Sequence, residues 1–209
     1  MTSTESLAPM YTIDDAGWCR ELRHAECANF DARPEGTAID LLVIHNISLP
    51  PGEFGGDQIE ALFANRLDCD AHPYFDQLRG LRVSAHFLIR RDGSAVQFVS
   101  TLDRAWHAGL STFDGRERCN DFSIGIELEG TDTEDFCDAQ YETLGALCAA
   151  LVRRHPILHV RGHEHIAPGR KTDPGPHFDW ARFRQQLVAL QNGAFFSNPK
   201  TACTVSFPT

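Results

Sequence analysis

Residues 122 to 130, FSIGIELEG, constrain the fold of this chain more than any other stretch. Phe122, Ile124, Ile126 and Leu128 alternate with Ser123, Gly125, Glu127 and Glu129. Period two is the repeat of a β-strand, so the segment reads as a strand with one apolar and one polar face. An apolar face needs a cover. DAQYETLGALCAALVRRH, residues 138 to 155, reads as the strongest helix, with Tyr141, Leu144, Leu147, Cys148 and Leu151 at helical spacing and basic residues at the C-terminal end.

Other segments extend the pattern. DLLVI, residues 40 to 44, is a short apolar run leading into His45 and reads as a buried strand. GDQIEALFANRL reads as a helix with Asp57 as N-cap. SAHFLIRRDGSAVQFVS reads as a hairpin turning at RRDGS. ILHV offers a further short strand, and FDWARFRQQLVALQ a closing helix. Together these predict a single α/β domain over residues 1–209, a mixed, mainly β-sheet core flanked by α-helices. The catalytic core is expected at about 40–191, followed by a loosely docked tail over 192–209.

At 209 residues one domain is the default. The net charge of −10 argues against a general nucleic-acid binder, because phosphate contacts need a basic face. No apolar run approaches the roughly 20 residues that span a bilayer, and no secretory signal is visible at the start. Seven scattered cysteines, with no CxxC pair, suit reduced thiols. A cytoplasmic location is therefore expected, with no membrane or obligate protein partner.

Chemistry concentrates in RGHEHIAPGRKTDPGPHF, residues 161 to 178, where three histidines, a glutamate, an aspartate and a lysine are interleaved with three prolines and three glycines. Such a segment is neither a proper helix nor a proper strand. Its turns could return a histidine and Asp173 to one point, and His45, at the edge of a sheet, could join them. Two histidines and a carboxylate form a catalytic zinc set with a fourth position open. Spacing alone does not choose between His163 and His165, nor alternation between Glu127 and Glu129.

VIHNISLPPGEFGG, RVSAHFLIRRDG, RAWHAG, GRERCNDFSIGIELEGTD, GHEHIAPGRKTDPGP and FDWARF, in that order, resemble the AmpD-type N-acetylmuramoyl-L-alanine amidases, relatives of phage amidase lysozymes and peptidoglycan recognition proteins. The resemblance covers about residues 40 to 185. It implies Zn2+ held by His45, His163 and Asp173, and leaves His165 as a loop histidine. It also implies catalytic roles for Glu127 and Lys171, with Glu129 closer to a structural one. Asn46, Arg82 and Arg118 resemble positions that contact the muramyl-peptide, and Trp106 with His107 is expected to line the groove. His86 is read as a packing residue. The implied activity is hydrolysis of the amide between the lactyl group of 1,6-anhydro-N-acetylmuramic acid and L-alanine in recycled, soluble cell-wall fragments, a family role linked to β-lactamase regulation. An exported amidase acting on intact peptidoglycan, or a non-catalytic binding module, are the alternatives.

Overall fold

Six strands form the central sheet of the computed structural model, which describes residues 11–192 and 205–208. In chain order the strands are β1 (Arg23–His24), β2 (Phe30–Ala32), β3 (Leu41–Ile47), β4 (Phe87–Ile89), β5 (Ala95–Gln97), β6 (Asp103–Ala105), β7 (Thr112–Phe113), β8 (Arg116–Glu117), β9 (Ser123–Glu129) and β10 (His159–Gly162). The helices are α1 (Gln58–Phe63), α2 (Asp138–Arg154), the single turn α3 (His163–Ile166) and α4 (Trp180–Asn192). Sheet order is β1-β5-β4-β9-β3-β10, while β2-β6 and β7-β8 form separate pairs. The strands β4, β9, β3 and β10 run parallel, and β5 returns antiparallel to β4 as the expected hairpin. The architecture is thus the expected mixed α/β domain with flanking helices.

Alternation sorts the side chains between two layers. Leu42 and Ile44 of β3 join Ile124, Ile126 and Leu128 of β9 in a core closed by Leu144, Leu147 and Leu151 of α2 and Phe183 and Leu187 of α4. Burying each such side chain contributes about 1.5–3 kcal/mol, so this layer is the main source of stability. On the opposite face Leu41 and Val43 pack with Ala108, Phe122 and Ile166.

The alternation holds over Ser123–Glu129, with Phe122 on the opposite face from Ile124, but the polar face is largely covered. All seven residues of β9 are buried, because β9 lies at the centre of the sheet and the chain around residues 84 to 120 covers its polar side. The first strand also runs further than expected, so that His45 lies within β3 rather than after it. Asp57 precedes α1 without a side-chain cap bond. Residues 161 to 178 are largely irregular, yet they begin with the end of β10 and the turn α3.

Residues 11 to 34 add to the expected core. They contribute the edge strand β1 and the side chain of Arg33, which donates to the carbonyls of Asn120, Asp121 and Ser123 at 2.8–3.0 Å. Most of the expected tail lies outside the described residues. Where described, it is docked: the Ser206 N–H donates to the Leu158 carbonyl at 2.9 Å, the Val160 N–H donates to the Ser206 carbonyl at 2.9 Å, and Phe207 packs on Phe183. No helix among the described residues is long and apolar enough to cross a membrane.

Candidate metal centre and active-site cleft

His45 projects from the face of β3 opposite the α2/α4 core, as the alternation after Ile44 requires. His163 opens α3 directly after β10, the neighbouring parallel strand. Asp173 returns through the turns of the loop, tied down by the Glu164 N–H donating to its backbone carbonyl at 2.9 Å. These three residues converge. Asp173 Oδ2 lies 2.9 Å from His45 Nδ1 and 3.1 Å from His163 Nδ1, and the two Nδ1 atoms are 3.1 Å apart. His165 is turned away, its Nδ1 accepting the Gly162 N–H at 3.0 Å and its ring packed on Trp180.

Hydrogen bonding on the far side of each ring identifies what faces the cluster. His163 Nε2 lies 3.0 Å from the Ala108 carbonyl, which can only accept, so the proton of the neutral ring is on Nε2. The Ser123 hydroxyl donates to the Cys119 carbonyl at 2.6 Å and accepts from His107 Nε2 at 3.2 Å. His107 Nδ1 is therefore the acceptor for His45 Nε2, at 2.9 Å. In these neutral tautomers both Nδ1 atoms of the cluster carry lone pairs, beside a carboxylate oxygen. Burial holds His45 neutral, its pKa down to about 4 although Asp173 pulls upward. Three acceptor atoms facing one point repel one another unless a cation lies between them. Their spacing fits one, since tetrahedral zinc with Zn–N of about 2.0–2.1 Å separates its ligands by roughly 3.3 Å. His45, His163 and Asp173 could thus hold a metal ion.

The cluster lies in a cleft of about 710 Å³ whose walls include Asn46, Trp106, Glu127 and Lys171. Glu127 is 9% exposed, and its Oε2 has no hydrogen-bond partner among the described residues. Burial, reinforced by the charge of Asp173 and opposed by Lys171, pushes its carboxyl well above the usual range. Glu129, two positions on, does not face the cleft. It accepts from Arg90 at 2.8 Å and from the backbone N–H groups of Gly55 and Arg91 at 2.7 and 3.2 Å, pinning the loop after β3.

The expected substrate-contacting residues separate into groups. Asn46 Nδ2 donates to Asp132 Oδ1 at 2.6 Å and to the Pro174 carbonyl at 3.1 Å, joining two walls of the cleft. Trp106 lines it with a buried Nε1 that makes no hydrogen bond of ordinary geometry among the described residues, though it lies close enough to Asp31 to lower that carboxyl. His107 reaches the cleft by its edge, but both ring nitrogens are committed to His45 and Ser123. Arg82 is exposed and borders a smaller recess of about 150 Å³, which shares Leu62, Leu78 and Leu81 with the main cleft. Arg118 lies outside the cleft lining and pairs with Asp121 at 3.3 Å. His86 is fully buried, with Nδ1 accepting the Gly125 N–H at 3.0 Å, a packing role. Sequence reasoning passed over Asn120, Asp132 and Arg170, whose Nη2 donates to the Ala108 carbonyl at 3.0 Å, although all three lie within the motifs GRERCNDFSIGIELEGTD and GHEHIAPGRKTDPGP.

Comparison with known proteins places the chain in a family. A family model described as N-acetylmuramoyl-L-alanine amidase matches residues 35–176. The 1,6-anhydro-N-acetylmuramyl-L-alanine amidase AmpD of Citrobacter freundii is 60% identical over 172 residues, covering 81% of this chain and 92% of that protein. A crystal structure of a selenomethionine AmpD derivative superposes with a TM-score of 0.80 at 58% identity, over 83% of this chain and 98% of the other. The Escherichia coli N-acetylmuramyl-L-alanine amidase AmiD, in complex with its substrate anhydro-N-acetylmuramic acid-L-Ala-D-gamma-Glu-L-Lys, has a TM-score of 0.54 at 30% identity, over 74% and 60% of the two chains. With a matching model over more than half its length and a near-full-length relative this similar, the chain belongs to the N-acetylmuramoyl-L-alanine amidase family, in its AmpD-type branch.

Proposed function

We propose that this chain is a zinc-dependent amidase that cleaves the bond between the lactyl group of 1,6-anhydro-N-acetylmuramic acid and L-alanine in soluble cell-wall fragments. The observation that carries this reading is the convergence of His45 Nδ1, His163 Nδ1 and Asp173 Oδ2 beside the buried, unpartnered carboxylate oxygen of Glu127. When bound by His45, His163 and Asp173, zinc supplies a Lewis acid that acidifies water and polarises a carbonyl.

The remaining chemistry belongs to the chain. Glu127 Oε2, without a hydrogen-bond partner among the described residues, takes the proton of the attacking water. Burial raises the Glu127 carboxyl and so favours its keeping that proton, which Glu127 then delivers to the leaving amine of L-alanine. Lys171, in the cleft wall beside Asp173, places a positive charge where the carbonyl oxygen becomes negative. A cleft of about 710 Å³ is large enough for one sugar with part of its peptide. The names of the AmpD relatives and the ligand of the AmiD complex support the same substrate. Action in the cytoplasm, in peptidoglycan recycling and so in β-lactamase regulation, fits the six described cysteines, all of which are free thiols.

Incubation of the zinc-loaded chain with an anhydromuramyl-tripeptide, followed by mass analysis, tests the proposal. Release of the free tripeptide and the anhydro-sugar acid is expected, at a rate far above that of peptide release from intact sacculi. Comparable rates on both substrates would move the enzyme to polymer turnover outside the cytoplasm. Absence of cleavage with zinc bound would favour a binding module.

A further inference from the structure

We propose that Asn120 is a positioning residue for the metal centre, acting through the His107–Ala108 segment to aim both metal-binding imidazoles. The proposal rests on the reading of His45, His163 and Asp173 as zinc ligands.

An imidazole offers one nitrogen to a metal, and its orientation is set by the partner of the other nitrogen. Here both partners come from two consecutive residues. His45 Nε2 is held by the His107 ring at 2.9 Å, and His163 Nε2 by the Ala108 carbonyl at 3.0 Å. The segment that presents them follows β6 and has no regular ladder of its own. Its two backbone N–H groups are fixed instead by one side-chain oxygen, while Arg170 Nη2 donates to the Ala108 carbonyl at 3.0 Å. Asn120 Oδ1 accepts the His107 N–H at 3.1 Å and the Ala108 N–H at 2.8 Å. Asn120 is 9% exposed and sits in the 3₁₀ turn Cys119–Asp121, immediately before β9.

Strand β9 completes the support from below. Ser123 holds His107 Nε2, and Gly125, next on the same face, leaves the space the ring occupies: a Cβ there would lie 2.6 Å from His107 Nδ1. Glu127 follows on that face and enters the cleft. One short strand thereby carries the ring's support and the catalytic carboxylate, while the turn just before it pins the backbone that orients both histidines.

The test compares zinc affinity of the full chain, by competition with a chromophoric chelator, across Asn120→Leu, Asn120→Asp, His107→Leu and His107→Asn. Asparagine at 107 can place an oxygen near the Nδ1 position, and aspartate at 120 retains the acceptor for both N–H groups. Loss of an outer hydrogen-bond partner costs roughly 10–100-fold in metal affinity, so both leucine variants are expected to weaken zinc by that factor. The Asp and Asn variants are expected to recover most of it. In the zinc-loaded wild type the Nε2 protons of His45 and His163 are expected to exchange slowly by NMR, and in Asn120→Leu faster. Wild-type affinity in Asn120→Leu, or equal loss in Asn120→Leu and Asn120→Asp, overturns the positioning role while leaving the zinc reading intact. A wild-type chain that takes up no zinc overturns both.

Discussion

His45 of β3 and Glu127 of β9 are register partners on adjacent parallel strands. Side chains opposite one another in a ladder share a face, and strands lie about 4.8 Å apart, so the backbone itself holds the proposed metal-binding histidine next to the proposed general base. Neither depends on a loop for its relative placement. Only His163 and Asp173 reach the site from outside this pair, one from the end of β10 and one from the loop beyond.

Removing any member of the cluster is expected to remove the metal. His45→Ala, His163→Ala and Asp173→Ala should each lose most bound zinc and activity, measured by metal analysis after dialysis. His165→Ala loses a bond to Gly162 N–H and a contact with Trp180, and should keep its zinc. Full zinc retention by Asp173→Ala would remove that residue from the ligand set.

The two glutamates of β9 should fail in different ways. Glu127→Gln keeps the fold and the metal but lowers kcat by roughly 10²-fold or more, the usual loss for a positioned acid–base group. Glu129→Gln weakens the Arg90 pair and the loop bonds at a buried site and should cost on the order of 2 kcal/mol of stability, Arg90 still having Glu60 at 3.1 Å. Its kcat should change far less. Steady-state rates and thermal midpoints of the two variants separate these outcomes, and the reverse ranking in kcat would transfer the catalytic role to Glu129.

Gly125→Ala probes the space beneath His107. Its added methyl group meets the imidazole and must move it off His45, since the strand cannot give way at the centre of the sheet. Weaker zinc binding is expected, roughly 10-fold or more. A variant binding zinc as the wild type does would show that the ring shifts without consequence.

Stability in acid should depend on His155. Burial, with the nearby charges of Arg154 and Arg33, holds its pKa down to about 4 from 6.5, and its Nε2 bonds Thr101 Oγ1 at 2.9 Å. As pH falls through 6.5 the unfolded chain takes up a proton that the folded chain refuses until about 4. The contribution is therefore complete above pH 6.5 and lost across that window, up to roughly 3 kcal/mol. Urea midpoints of the metal-free protein at pH 7 and pH 5 should fall less for His155→Gln than for the wild type. An identical fall would assign the acid sensitivity elsewhere, such as to buried His86.

Periodicity in the sequence determined the elements: the alternation of 122 to 130, the helical stripe of 138 to 155 and the hairpin around RRDGS each correspond to β9, α2 and β4–β5. These patterns are legible because burial on one side of an element repeats at the period of the backbone. His45, His163 and Asp173 were legible as candidates through their chemistry and motif. Tertiary structure alone decided the rest. Glu127 and Glu129 share a strand face and a residue type, yet one ends in an open cleft and the other beneath Arg90, because β4 and the loop after β3 cover only the far end of β9. Asn120 and Ala108 act through an amide oxygen and a backbone carbonyl, groups whose partners come from chain segments distant in sequence. The sheet order, with β9 set between β4 and β3, brings those segments together, and no local period encodes it.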